Sequence, residues 1–248
     1  IEDLRKSSGM KAAKKAGRVS ADGVVSAKVE NTKGMLIEVN SETDFVARDE
    51  NFLGFVDRVT EAAFASGKPS VPALMEGELE SAREALVQKI GENISVRRIA
   101  FIDAPVIAGY VHGNKRIATL VGLQGGSEEL AKDIAMHVAA VSPQYISRDE
   151  VSDDEIAKER EIYTAQAEQS GKPAEIIAKM VDGRINKFLA EVSLLEQPFV
   201  KDPDQKIGDL VKKSGAQVIK MVRYEVGEGI DKGEVDFAAE VAAQLKGE

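Results

Sequence analysis

Cysteine and tryptophan are both missing from this chain of 248 residues, and histidine occurs only twice. Without cysteine there is no disulfide framework and no thiolate metal site, a composition that fits the cytosol. The two histidines, His112 and His137, stand in no H-x-x-x-H or H-E-x-x-H spacing, which argues against zinc. No apolar run is long enough to span a bilayer, and no secretory leader is recognisable. Positive charge is also short: 33 Lys and Arg against 42 Asp and Glu leave a net charge of −9. That balance argues against direct nucleic-acid binding, which needs clustered cations against phosphates. Absent tryptophan and scarce tyrosine leave no evident stacking platform for bases. The one basic stretch, Arg5, Lys6, Lys11, Lys14, Lys15 and Arg18, reads as a solvated linker before it reads as an RNA contact. No nucleophile with a base, no metal cluster and no G-K-[ST] phosphate loop stands out. The expectation is a protein without covalent chemistry or a cofactor of its own.

What is present is an ordinary globular composition, 43% hydrophobic and 30% charged. The apolar pattern describes a duplicated unit. Residues 24–29 read as a strand, 30–34 form a turn and 35–39 the return strand. A helix follows, with Phe52, Val56, Val59 and Ala63 on one face. A second helix carries Leu79, Ala82, Leu86 and Ile90, and a third strand is expected over 94–102. The plan repeats with strands at 107–112 and 117–123, a helix opened by Ser127, and a third strand at 218–226. In that last strand Val218, Val222, Tyr224 and Val226 are expected on one face.

The second unit is interrupted. Ser152 to Glu155 has capping-box spacing, Gly171 stops that helix, and Pro173 suits the first position of the next. Ile177, Met180, Val181, Ile185 and Phe188 form its apolar seam, so an antiparallel helical hairpin with arms of roughly 27 Å is expected. A loop with Pro198 and Pro203, a short helix near Leu210, and an amphipathic helix with Phe237, Val241 and Leu245 complete the chain. The fold class is α+β: two related subdomains, each a three-stranded antiparallel sheet with helices, plus the inserted hairpin and a C-terminal helix. The expected division is a basic helix or linker (1–18), an N-terminal core subdomain (19–105), and a C-terminal core subdomain (106–144 and 194–228). The helical hairpin occupies 145–193 and a C-terminal helical module 229–248.

One corner concentrates unusual residues. The strand ending at Glu38-Val39 runs into Asn40-Ser41-Glu42-Thr43-Asp44-Phe45-Val46 before the helix begins. Locally, Thr43 or Asp44 would cap that helix and Phe45 would pack as a staple beneath it. Alternatively, a strand-to-helix corner projects its side chains outward. His137 shares a stripe with Leu130, Ile134 and Val141 and reads as a core histidine. His112 sits at a tight turn and reads as exposed; Ile90-Gly91 reads as a helix end with a glycine stop.

The string E-V-N-x-x-T-D-F-V-A over 38–47 resembles the signature of bacterial elongation factor Ts, the family of nucleotide-exchange factors for the GTPase elongation factor Tu. Lys89-Ile90-Gly91-Glu92-Asn93-Ile94, Tyr110-Val111-His112-Gly113, Met136-His137-Val138-Ala139-Ala140 and Glu225-Val226-Gly227-Glu228-Gly229-Ile230 continue the likeness in order. It runs from about Lys11 onward. A small helical domain usually leads the family, so the resemblance implies a fragment that starts after it. It also implies a cytoplasmic partner protein of elongation factor Tu, working as a heterodimer or a dimer of heterodimers. Thr43, Asp44, Phe45 and Val46 would then disturb the partner's Mg²⁺ and phosphate site, with Ile90, Gly91 and His112 as further contacts. The competing expectations are a structural or RNA-associated ribosome protein without exchange activity, and a small-molecule enzyme built from scattered carboxylates.

Overall fold

A computed structural model of the chain describes residues 2–232. The helix expected near its C-terminus, with Phe237, Val241 and Leu245, lies outside them. The first half runs α1 (Glu2–Lys15), β1 (Asp22–Glu30), β2 (Lys33–Ser41), α2 (Glu50–Ser66), the short α3 (Val71–Leu74), α4 (Glu78–Ile90) and β3 (Ser95–Asp103). Its strands form an antiparallel sheet in the order β1-β2-β3. The β1–β2 turn is tighter than the sequence suggests, two residues instead of five, with Asn31 in the left-handed region at φ 55°. Asn tolerates that region better than most residues.

The second half adds β4 (Val106–Val111), β5 (Ile117–Gln124), α5 (Glu128–Val141), α6 (Asp153–Glu168), α7 (Ala174–Val192), β6 (Pro198–Phe199), β7 (Asp202–Lys206), α8 (Ile207–Lys213) and β8 (Gln217–Glu225). Its main sheet has the order β4-β5-β8, again antiparallel. The α+β class and the two three-stranded sheets are as read from the sequence. The small β6–β7 hairpin is not; its stretch reads as a proline-containing loop.

The two sheets share one irregularity. In the first, Glu38 pairs with Arg98 but Val39 pairs with Val96, so Arg97 is bulged. In the second, Gly122 pairs with Lys220 but Leu123 pairs with Val218, so Ile219 is bulged. A bulge adds one residue and reverses the alternation beyond it. That corrects the expected face of the last strand. Val218 and Met221 join the helix-side core, while Ile219, Val222 and Tyr224 face the other sheet.

Side-chain alternation builds three layers of contact. Met35, Ile37 and Val39 of β2 face Phe52, Val56 and Val59 of α2 and Val87 of α4. Val121 and Leu123 of β5 face Ile134 and Val138 of α5, with Leu194 and Ile207 alongside. Between the sheets, Val25, Leu36, Ile102, Ile107, Leu120 and Val226 are buried together. Each is worth about 1.5–3 kcal/mol on burial, against about 0–1 for a surface ion pair such as Asp22–Arg116. Apolar area therefore outweighs surface ion pairs in joining the two halves.

The helical hairpin has a core of its own: Val151, Ala167, Val181, Ile185, Leu189 and Val192. Ser152 caps α6 by accepting from the Glu155 N–H, and Pro173 occupies the cap position of α7, one residue before the expected first turn. Up to Lys15 the basic N-terminal stretch is helix α1, packed along α4 with Ala12 buried at the contact, while Lys6, Lys11, Lys14 and Arg18 stay exposed.

Candidate functional site

The corner after β2 is held from inside. The buried Ser41 hydroxyl donates to the Thr43 carbonyl at 2.9 Å and bends the chain. A single 3-10 turn, Val46–Arg48, then precedes α2. Its presence moves the helix cap away from Thr43 and Asp44. Asp49 is the cap instead, its Oδ1 accepting from the N–H groups of Asn51 and Phe52 at 2.8 and 3.1 Å. The Phe52 N–H, ahead of the Asn51 contacts, holds the Asp49 carboxyl below its ordinary range.

Thr43 is tied across to the end of α4. Its Oγ1 donates to Glu92 Oε1 at 2.7 Å, and the N–H groups of Glu42 and Thr43 both donate to Glu92 Oε2 at 3.1 Å. In return the Asn93 N–H donates to Glu42 Oε1 at 2.6 Å. Gly91 makes this approach possible. It ends α4 at φ 88°, where its N–H returns to the Val87 carbonyl at 2.8 Å. Lys15 donates to the Gly91 carbonyl, so α1 braces the same turn.

Between these anchors the side chains divide. Val46 is buried in the core beneath α2. Phe45, one residue earlier, is 81% exposed and is the most exposed large apolar side chain among the described residues. The staple expectation for Phe45 therefore does not describe this structure. Asp44 is also exposed and lies 3.5 Å from Arg48, a weak surface pair. The ring gives up the stabilisation that burial would bring, so its placement does not serve the chain's own stability.

Six of the seven residues singled out from the sequence, Thr43, Asp44, Phe45, Val46, Ile90 and Gly91, thus belong to two adjoining turns bonded through Glu92. His112 stands apart, exposed at the β4–β5 turn, with Tyr110 Oη 3.3 Å from its Nδ1. That turn is pinned to β1 by the Val25 N–H to the Lys115 carbonyl at 2.8 Å and by Arg116 on Asp22 at 2.6 Å. Sequence reading missed Glu42, Glu92 and Asn93 as organisers. Only the position of Glu92 just past a glycine helix stop hinted at a turn whose polar groups need partners.

His137 is wholly buried and serves the fold. Its Nε2 donates to Gln197 Oε1 at 2.9 Å and its Nδ1 accepts from the Val200 N–H at 3.2 Å. Burial pushes its pKa below the ordinary histidine value, against the raising effect of Gln197. Among the described residues no group of three or more His, Asp or Glu could hold a metal ion. An open groove of about 590 Å³ lies at the base of the hairpin, lined by Ile146, Leu195, Val211 and Ile219 among others, and contains none of the seven residues.

The structure thus pairs two three-stranded sheets and braces a corner from which one aromatic ring stands out in solvent. The Elongation factor TS family profile matches residues 42–228. The chain is 74% identical over 249 residues to an elongation factor Ts of Hahella chejuensis, covering 100% of this chain and 87% of that protein. It is 61% identical over 245 residues to one of Marinobacter nauticus (98% and 85% covered) and 61% over 247 residues to one of Cellvibrio japonicus (99% and 85%). The chain belongs to the elongation factor Ts family, a family of translation elongation factors.

Proposed function

We propose that this chain is a guanine-nucleotide exchange factor for elongation factor Tu, with Phe45 as its wedge. The observation that carries the reading is the 81% exposed Phe45 ring on a corner anchored on either side by Thr43 and Val46. A braced aromatic enters an apolar crevice at little entropic cost and can displace a neighbouring element of a bistable switch region. Asp44 beside it brings negative charge toward the partner's Mg²⁺ site, where it repels the phosphates and competes with them for polar contacts. Gly91 and Ile90 extend the contact from the adjoining turn, and His112 adds a separate one. The exchange itself is linkage. Whatever factor binding costs the nucleotide in affinity, nucleotide binding costs the factor equally. No bond is made or broken by this chain, and it acts in the cytoplasm as a heterodimer with its partner. The test is release of fluorescent GDP from elongation factor Tu on addition of the chain. Acceleration that saturates with concentration is the expected result; release at the spontaneous rate with folded protein in excess would refute the assignment.

A further inference from the structure

We infer that Glu92 is a positioning residue for exchange, setting the pose of Phe45 through the Thr43 turn; this rests on reading Phe45 as the wedge. Three donors converge on one carboxylate: the Glu42 N–H, the Thr43 N–H and the Thr43 hydroxyl. The exchange is reciprocal, because Glu42 accepts from the Asn93 N–H at 2.6 Å. Each turn therefore supplies a carboxylate to the other turn's backbone. Phe45 lies two residues beyond Thr43, and its own ring contributes nothing to holding the corner, since it is exposed. On its far side the 3-10 turn and the buried Val46 fix the chain. On its near side the Glu92 contacts and the Ser41 hydroxyl on the Thr43 carbonyl do so. Removing the carboxylate leaves two backbone N–H groups without their partner and frees the near side of the corner. A misplacement of about 1 Å is enough to cost up to about 100-fold in a positioned reaction.

The experiment compares Glu92→Ala, Glu92→Gln and Glu42→Ala, alone and with Phe45→Ala, in GDP release from elongation factor Tu across factor concentration. Hydrogen exchange of the Glu42 and Thr43 amides is read on the free protein. Glu92→Ala is expected to lower the maximal release rate about tenfold or more, with less effect on the half-saturating concentration. The two amides should lose protection. Glu92→Gln should restore both readouts, because its Oε1 accepts the same two N–H groups and its amide donates to Thr43 Oγ1. Glu42→Ala should give a smaller loss of the same kind, and serves if Glu92→Ala fails to fold. In the Phe45→Ala background neither alanine variant should slow release further, since they act through the ring.

Glu92→Ala at the wild-type rate, with Phe45→Ala slow, would overturn the role of Glu92 and leave the wedge standing. Losses that add to that of Phe45→Ala would also overturn it, as would Glu92→Gln failing like alanine. Phe45→Ala at full rate would overturn the wedge, and this inference with it.

Discussion

Glu38, on the central strand of the first sheet, accepts a 2.8 Å hydrogen bond from the backbone N–H of Gly227, just past the last strand of the second. The carboxylate is wholly buried, and four further contacts surround it: Asn40 Nδ2 at 3.0 Å, Arg97 Nη1 on both oxygens, and Arg98 Nε at 2.5 Å. Two successive arginines reach one acceptor because Arg97 is the bulged residue of β3. Arg98 continues to the Glu225 carbonyl at 3.0 Å and lies over the Tyr224 ring. The bulge and the buried glutamate thus join the sheets at the end where the sheet-to-sheet apolar layer finishes.

Burial by itself would raise the Glu38 carboxyl, but the Gly227 N–H, the Asn40 amide and Arg98 together outweigh it and hold the group below its ordinary range. With the folded pKa below the unfolded value near about 4.3, the contribution is complete above that value and is lost as pH falls through the folded pKa. Glu38→Ala should cost about 3 kcal/mol at pH 7, the low end for a broken buried pair. The arginines, a quarter exposed, can turn to water, whereas the Gly227 N–H cannot. Urea unfolding of wild type and Glu38→Gln should show a stability gap at pH 7 that narrows in acid. A gap independent of pH would mean the charge plays no part.

Phe45 and Phe52 provide a contrast within one turn and helix. Phe52 is fully buried under α2 and Phe45 is 81% exposed. Phe52→Ala should destabilise by about 3–5 kcal/mol. Phe45→Ala should leave the melting temperature nearly unchanged and weaken exchange by about 2 kcal/mol or more, the scale of an aromatic hot spot. Thermal unfolding and GDP release on the same samples decide it. A strongly lowered melting temperature with unchanged exchange in Phe45→Ala would reverse the assignment.

The elements were legible where a local rule decides them. Runs of β-formers bounded by turn residues mark β1, β2, β4 and β5, the Ser152 capping box opens α6, and Gly91 stops α4. The bulges at Arg97 and Ile219 were not legible, because one extra residue changes no propensity and shows only in pairing. The hydrogen bonds between the Thr43 and Glu92 turns join residues 49 to 51 positions apart, beyond any local pattern. Asp49 replaced Thr43 and Asp44 as cap because a 3-10 turn was inserted, and such a turn has no period to read. The strand-to-turn pattern located the corner and the resemblance singled out the seven candidate residues; only packing separates Phe45, outward, from Val46, inward.

His137 gives a pH dependence of its own. Its buried ring, held between Gln197 and the Val200 N–H, is neutral in the folded state, and burial lowers its pKa. The unfolded chain takes up the proton first, so this contribution is complete above about pH 6.5 and declines as pH falls from there toward the folded pKa. The difference in urea midpoint between wild type and His137→Gln should therefore shrink between pH 7 and 5.5. At pH 7 His137→Ala should cost about 2–5 kcal/mol, from lost packing and two unpaired polar groups. A constant difference across that range would show that the ring is already charged or already loose.

The helical hairpin should be removable. Its helices of 16 and 19 residues reach about 24 and 28 Å and bury their apolar seam against each other. The base keeps its own fastening. The N–H groups of Gln144 and Tyr145 both donate to the Val192 carbonyl at 3.0 Å, Leu194 returns an N–H to Tyr145 at 2.8 Å, and Arg148 pairs with Glu196. None of the residues buried in the two sheet-to-helix cores comes from α6 or α7. Replacing residues 152–190 by a short flexible linker should leave one cooperative unfolding transition and the same sheet amide protection. Val151 loses its cover in that variant, so a stability loss of about 1–2 kcal/mol is expected from its exposed side chain and the loosened base. If unfolding becomes gradual, or protection in β4, β5 and β8 disappears, the hairpin is part of the cooperative core and its separate apolar seam is misleading.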